Sequence, residues 1–210
     1  MRSSRSLSVL QQRAARRLAR LKPLLGQGSS SDLDRRTAYV VIEAHATWAS
    51  YCRFFYLSCA LGARDATGVS VLPPGVRFAT EEEAITFAVH TLNPRKRGQT
   101  GPWSTHEEPT WYDSSDFRRA VQALNPANVG SVISALALAP ASFRQLTTFR
   151  NFYAHRGRGT VRKAQAIARS YVLNPSQHPT LILNDYPVGR PQVLLADLLD
   201  DIKTVVGLMN

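Results

Sequence analysis

Ala38, Val41, His45, Trp48, Cys52, Phe55 and Cys59 recur at alternating spacings of three and four. That is the period of one face of an α-helix. Ile42, Ala46, Ala49 and Tyr56 widen the stripe, so the helix predicted over about 32–62 is apolar around much of its girth. Such a helix has little surface to offer water and belongs in the middle of a bundle. Ser31 or Asp32 supplies its N-cap and Gly62 its end. The chain is therefore expected to be all-α.

Other helices follow from their punctuation. Thr80-Glu81-Glu82-Glu83 reads as a capping box opening a helix to about Leu92. Four segments, near 114–124, 128–139, 141–156 and 160–172, are separated by Pro126 and Pro140, with Gly157 expected to close the third. Gln192 to Leu208 carries Val193, Leu194, Leu198, Leu199, Ile202, Val205 and Val206 on one face. Thr180-Leu181-Ile182-Leu183 reads as one short strand. Residues 63–112 hold a long insertion, loop-like at 63–79 and irregular from Asn93 to Tyr112. In the second stretch Arg95-Lys96-Arg97 lies near Trp103 and Trp111. Cations beside aromatics suit single-stranded nucleic acid, or the tryptophans pin a solvated loop to the core.

A length of 210 residues and an apolar fraction of 44% suit one folded domain with extensions. The formal charge of +11 asks for an acidic partner, nucleic acid before an anionic membrane surface. Cys52 and Cys59 stand two helical turns apart, too far for a disulfide in a regular helix, and read as buried thiols in a reducing cytoplasm. No apolar run is long enough to span a bilayer.

Residues 1–31 hold seven basic residues (Arg2, Arg5, Arg13, Arg16, Arg17, Arg20 and Lys22) and no acid. Leu7, Leu10, Ala14, Leu18, Leu21 and Leu25 make 7–25 a basic amphipathic helix, and Gly26 to Ser31 a linker. This amino-terminal arm packs on the domain or a partner, binds RNA or an anionic surface, or serves as a transit peptide. The interaction or RNA-binding arm is the preferred reading, with residues 32–210 as the helical domain.

The chemistry concentrates in Arg150-Asn151-Phe152-Tyr153-Ala154-His155. RNA carries its own nucleophile, the 2′-OH. Cleavage needs a base for that proton, an acid for the leaving 5′-oxygen, and positive charge on the pentavalent phosphate. A histidine near a helix end and a bidentate arginine cover much of this, and a symmetric partner supplies the rest. Arg150 stands about 140° around the helix from His155, so either its side chain wraps or the helix ends early. Asn151, one turn before His155, would orient it or donate to phosphate. Arg144, Arg156, Arg158, Arg162 and Lys163, with Arg169 beyond, are the candidate RNA-backbone contacts. The alternative is an arginine that salt-bridges and a histidine that caps its helix.

This segment resembles the R-N-x-x-x-H form of the Rx4–6H motif of the HEPN superfamily. Val40 to Trp48 is similar to the first core helix of prokaryotic HEPN nucleases. The resemblance covers about 35–170. It implies a HEPN-like helical bundle, usually dimeric, in which facing motifs form one cleft that cuts RNA without metal or cofactor. It further implies Arg150, Asn151 and His155 as the catalytic set. Glu43 matches a polar position on the first helix and becomes the candidate orienting acid for Arg150, or else pairs with Arg36 or Arg53. Members serve as toxins or abortive-infection effectors, which brings in an antitoxin or defence-system partner. One HEPN subgroup has a tyrosine two residues after the histidine, where an antitoxin modifies it. Gly157 stands there in this chain, so that form of control is not expected. A bundle that binds RNA or a partner without cutting is the alternative.

His45 reads as a core histidine, and His90, His106 and His178 are isolated. Glu81, Glu82, Glu83, Glu107 and Glu108 lack the histidines of a metal site.

Overall fold

The computed structural model describes residues 6–26 and 30–209. Arg2, Arg5 and half of the expected linker, residues 27–29, lie outside the described residues. The chain is all-α. Among the described residues there are nine α-helices and no strand, with only isolated bridges linking Arg64 to Ser6 and Ser70. The helices are α1 (Leu7–Ala19), α2 (Ser30–Ala60), α3 (Glu81–Leu92), α4 (Ser114–Leu124), α5 (Val129–Leu138), α6 (Pro140–His155), α7 (Arg158–Ser170), α8 (Pro179–Leu183) and α9 (Leu194–Leu208). No single helix among the described residues is long and apolar enough to cross a membrane.

The chain divides into two compact units. One comprises residues 1–14, 49–138 and 205–210, the other 15–48 and 139–204. Helices α1, α2 and α9 contribute a stretch to each.

In the first unit the second part of α2 is buried on nearly every side. Cys52, Phe55, Tyr56, Leu57 and Cys59 are fully covered. Phe55 meets Phe117 of α4 edge-on at 6.2 Å, and the Tyr56 hydroxyl donates to the Ala84 carbonyl of α3 at 3.2 Å. Thr80 caps α3 by accepting the Glu83 N–H, while the Glu83 carboxylate reaches back to the Ala79 N–H. The Gln11 side-chain amide donates to the Val206 and Met209 carbonyls, satisfying the end of α9.

The long insertion is anchored. Arg53 holds Glu108 through two bonds of 2.7 and 2.9 Å, and Trp111 donates to the same carboxylate. The Trp103 indole donates to Thr86 at 2.7 Å. Lys96 sits over the Trp103 ring and pairs with Glu107. The tryptophans of 93–112 therefore pin the loop, and Lys96 is already engaged.

In the second unit α2 and α6 run antiparallel. Trp48 stacks on Phe143 with ring centroids 4.4 Å apart, and Asp34, fourteen residues earlier on α2, pairs with Arg156, thirteen residues later. Asn184 bonds Thr37 at 2.8 Å, and Ser142 donates to Asp201 at 2.6 Å.

One expectation is corrected. Residues 180–183 are helical, within α8. Pro179 opens α8, and the His178 ring nitrogen accepts the Thr180 N–H. Its burial is also not alternating: Thr180, Ile182 and Leu183 are covered and Leu181 is 48% exposed. A four-residue apolar run carries no period that separates strand from helix. Within the expected arm, Leu7, Ala14, Leu18 and Leu21 are buried, and the unit boundaries do not fall at 31. The apolar face of α1 drives that packing.

Candidate functional site

Pro140 starts α6 at a position where its missing N–H costs nothing. The helix then stays regular to His155. Arg156 takes the left-handed conformation at φ 46° and closes the helix through its N–H to the Phe152 carbonyl. Gly157, expected to do this, instead precedes α7 with φ −83°. A left-handed non-glycine residue is strained. Here the Arg156 guanidinium is held by Asp34 at 2.8 Å and lies near the Phe152 and Tyr153 rings.

That regularity decides where the motif points. Arg150 lies seven residues beyond Phe143, about 20° away around the helix, on the face turned to α2. It is half-buried, and its guanidinium donates to Asn151 Oδ1 at 3.2 Å. His155 is a further ~140° around the helix and exposed. The two motif ends therefore lie on different faces of one helix. Asn151 is half-buried on the His155 face, one turn below, and exposed Arg144 is on that face too, about 20° from His155. The outward stripe is thus Arg144, Thr148, Asn151 and His155.

Glu43 does not reach Arg150. It stands ~140° around α2 from Trp48, on the side away from α6, and pairs with Arg17 of α1. Neither Arg36 nor Arg53 is its partner: Arg53 belongs to Glu108. The group that Arg150 does influence is His45, one turn before Trp48. Burial, reinforced by the positive charge of Arg150, pushes His45 down to about 4. The spacing on α2 marked His45 as a core residue but gave no sign that an arginine would lie near it.

The candidate RNA contacts separate into two kinds. Arg156 is tied to Asp34. Burial opposes the ionised form of Asp34, but hydrogen bonds from Thr180 and Arg156 and the charges of Arg156 and His178 hold it below the usual carboxylate range. Arg144, Arg158, Arg162, Lys163 and Arg169 are exposed and have no ion pair among the described residues. Arg158, Arg162 and Arg169 form a stripe about 40° wide on α7. No Asp or Glu occurs from Phe117 to Asn184, so α6 and α7 carry no acid of their own. The outward face of α6 thus holds Arg144, Asn151 and His155, and α7 carries a cationic stripe of its own.

A cavity of about 450 Å³ in the same unit is lined by Lys22, Leu33, Asn184, Tyr186, Gln192 and Val193, and by no motif residue. Among the described residues no cluster of His, Cys, Asp or Glu is arranged to hold a metal ion. No family model, curated protein or solved structure matches this chain.

Proposed function

We propose that this chain is a metal-independent, HEPN-type endoribonuclease that cuts RNA by attack of the substrate's 2′-OH. The supporting observation is the outward face of α6, where exposed His155 and half-buried Asn151 share a face with exposed Arg144, next in sequence to an α7 whose exposed cations have no ion pair among the described residues. In this reading His155 moves the protons and Asn151 orients it or donates to a phosphate oxygen. Arg144, Arg158, Arg162 and Lys163 hold the backbone, and Arg150 stabilises the pentavalent phosphate.

Because Arg150 and His155 diverge on one helix, the reading requires a homodimer, in which one chain's arginine serves the other chain's histidine. The biological role proposed is a toxin or anti-phage abortive-infection effector acting in the cytoplasm.

The test is cleavage of single-stranded RNA in EDTA, leaving 2′,3′-cyclic phosphate ends. His155→Ala and Arg150→Ala should each lower the rate at least ~100-fold with the fold retained. Full activity in both variants rules the proposal out. A mixture of the two inactive variants should regain part of the activity if the site is shared between copies.

A second reading, an RNA-binding bundle that does not cut, is favoured by the half-burial of Arg150 against α2. Salt-sensitive retardation of RNA without cleavage would establish it.

A further inference from the structure

The nuclease reading leaves the arginines of α1 unused. On α1 and the turn after it, Leu7, Gln11, Ala14, Leu18 and Leu21 recur at spacings of four and three and are all buried. Arg13, Arg16, Arg17 and Arg20 are exposed and fall within about 100° of the opposite face. Arg17 is held by Glu43, but Arg13, Arg16 and Arg20 have no carboxylate partner among the described residues. The first 31 residues supply no acid to neutralise them. An ordinary solvated helix face mixes both signs of charge, whereas this one carries a single sign, and arginine only.

Two polyanions could meet such a face, a membrane surface and a nucleic acid. A membrane-surface helix must sink its apolar side into the headgroup boundary. In α1 that side is already buried in the protein, and on the outward side Val9, 43% exposed, is the one large apolar residue. Insertion is therefore closed to it. The planar guanidinium forks instead match phosphodiester oxygens in pairs. From Arg13 to Arg20 the helix rises about 10.5 Å. At a stacked spacing of about 3.4 Å per phosphate along one strand, the stripe spans about three intervals, so each of its three arginines has a phosphate within reach.

We infer that the outward arginine face of α1 is a second nucleic-acid surface that grips the phosphate backbone of a single strand through Arg13, Arg16 and Arg20. It contains no group for chemistry and reads no base. Its effect is to add affinity and salt dependence to the binding of long strands. The inference does not depend on the cutting reaction.

The test uses the full-length chain carrying His155→Ala, so that RNA survives, and an unstructured 30-nucleotide RNA titrated in EDTA at several salt concentrations. Each single-strand phosphate contact contributes about 0.7 to the slope of log affinity against log salt. Adding Arg13→Ala, Arg16→Ala and Arg20→Ala together should flatten the slope by about two. The parent's advantage over this variant should then shrink about 20-fold between 50 and 200 mM salt. Circular dichroism and the melting midpoint should not change, since all three side chains are exposed. If the triple variant melts early, Arg16→Gln and Arg20→Gln alone should each flatten the slope by about 0.7.

Unchanged affinity and slope would overturn the inference. So would loss of binding to phosphatidylserine vesicles with RNA binding intact. If the wild-type chain fails to cut RNA but the slope difference stands, the nuclease reading fails and this one holds.

Discussion

Replacing Asp34 separates the structural from the RNA-facing role of Arg156. Thr180 is 3% exposed, and its single hydroxyl hydrogen goes to Asp34 at 2.5 Å. The Tyr153 hydroxyl, 2.9 Å from Thr180, must then donate to it. The bonds thus run in one direction, from Tyr153 through Thr180 to the carboxylate, which also accepts Arg156 at 2.8 Å. Asp34→Ala removes the acceptor at the end of this chain. A hydrogen bond to a charged group contributes about 1.5–3 kcal/mol net, and an exposed ion pair at most about 1 kcal/mol. The expected loss is therefore about 2–3 kcal/mol for Asp34→Ala and under about 1 kcal/mol for the pair alone, read from Arg156→Gln.

The pH dependence has a fixed sign. The folded-state pKa of Asp34 lies below its ordinary value. Its contribution is therefore complete above the unfolded value of about 3.9 and is lost as pH falls through the folded one. Urea unfolding followed by circular dichroism at pH 7, 5 and 2.5 checks this. The gap between wild type and Asp34→Ala should be equal at pH 7 and 5 and shrink markedly at 2.5. Equal stability at pH 7, or a gap that persists undiminished at 2.5, would refute the reasoning. Arg156→Gln should also leave the salt slope of RNA binding almost unchanged, unlike Arg158→Gln.

His45 titrates at about 4 in the fold against an ordinary value near 6.5. It should make the protein less stable as pH falls from about 6.5 to 4, by up to about 3 kcal/mol, and His45→Gln should flatten that slope in unfolding titrations. Glu43→Gln should change stability by no more than about 1 kcal/mol and leave RNA cleavage intact, because Glu43 pairs with partly exposed Arg17. Lost cleavage with stability intact would return Glu43 to the site. Trp48→Ala removes a side chain that is 1% exposed and stacked on Phe143. It should cost about 3–5 kcal/mol in urea or thermal unfolding.

The helices were legible because their signals are local. The expected segments 114–124, 128–139, 141–156 and 160–172 match α4 to α7 within two residues at each end. Apolar period, proline breaks and capping side chains act over one or two turns, so one stretch of chain carries them. The lapses arose where local signals run short. Thr180 to Leu183 is too brief to show a period. Gly157 has the residue type of a helix end, but Arg156 takes the left-handed position and closes the helix, with its side chain held by Asp34, far away in the chain.

The candidate site divides along the same line. By itself the sequence determined that α6 would carry Arg150, Asn151 and His155, with Asn151 and His155 on one face, since helical angles follow from spacing alone. Only the tertiary structure decided that the Arg150 face is the one turned to α2, that Glu43 serves Arg17, and that Arg156 is committed to Asp34. It also decided that the apolar side of α1 is buried, leaving its arginines outward. Spacing fixes which residues share a face. Which face meets a neighbour depends on how helices distant in sequence pack, and no single stretch of chain encodes that.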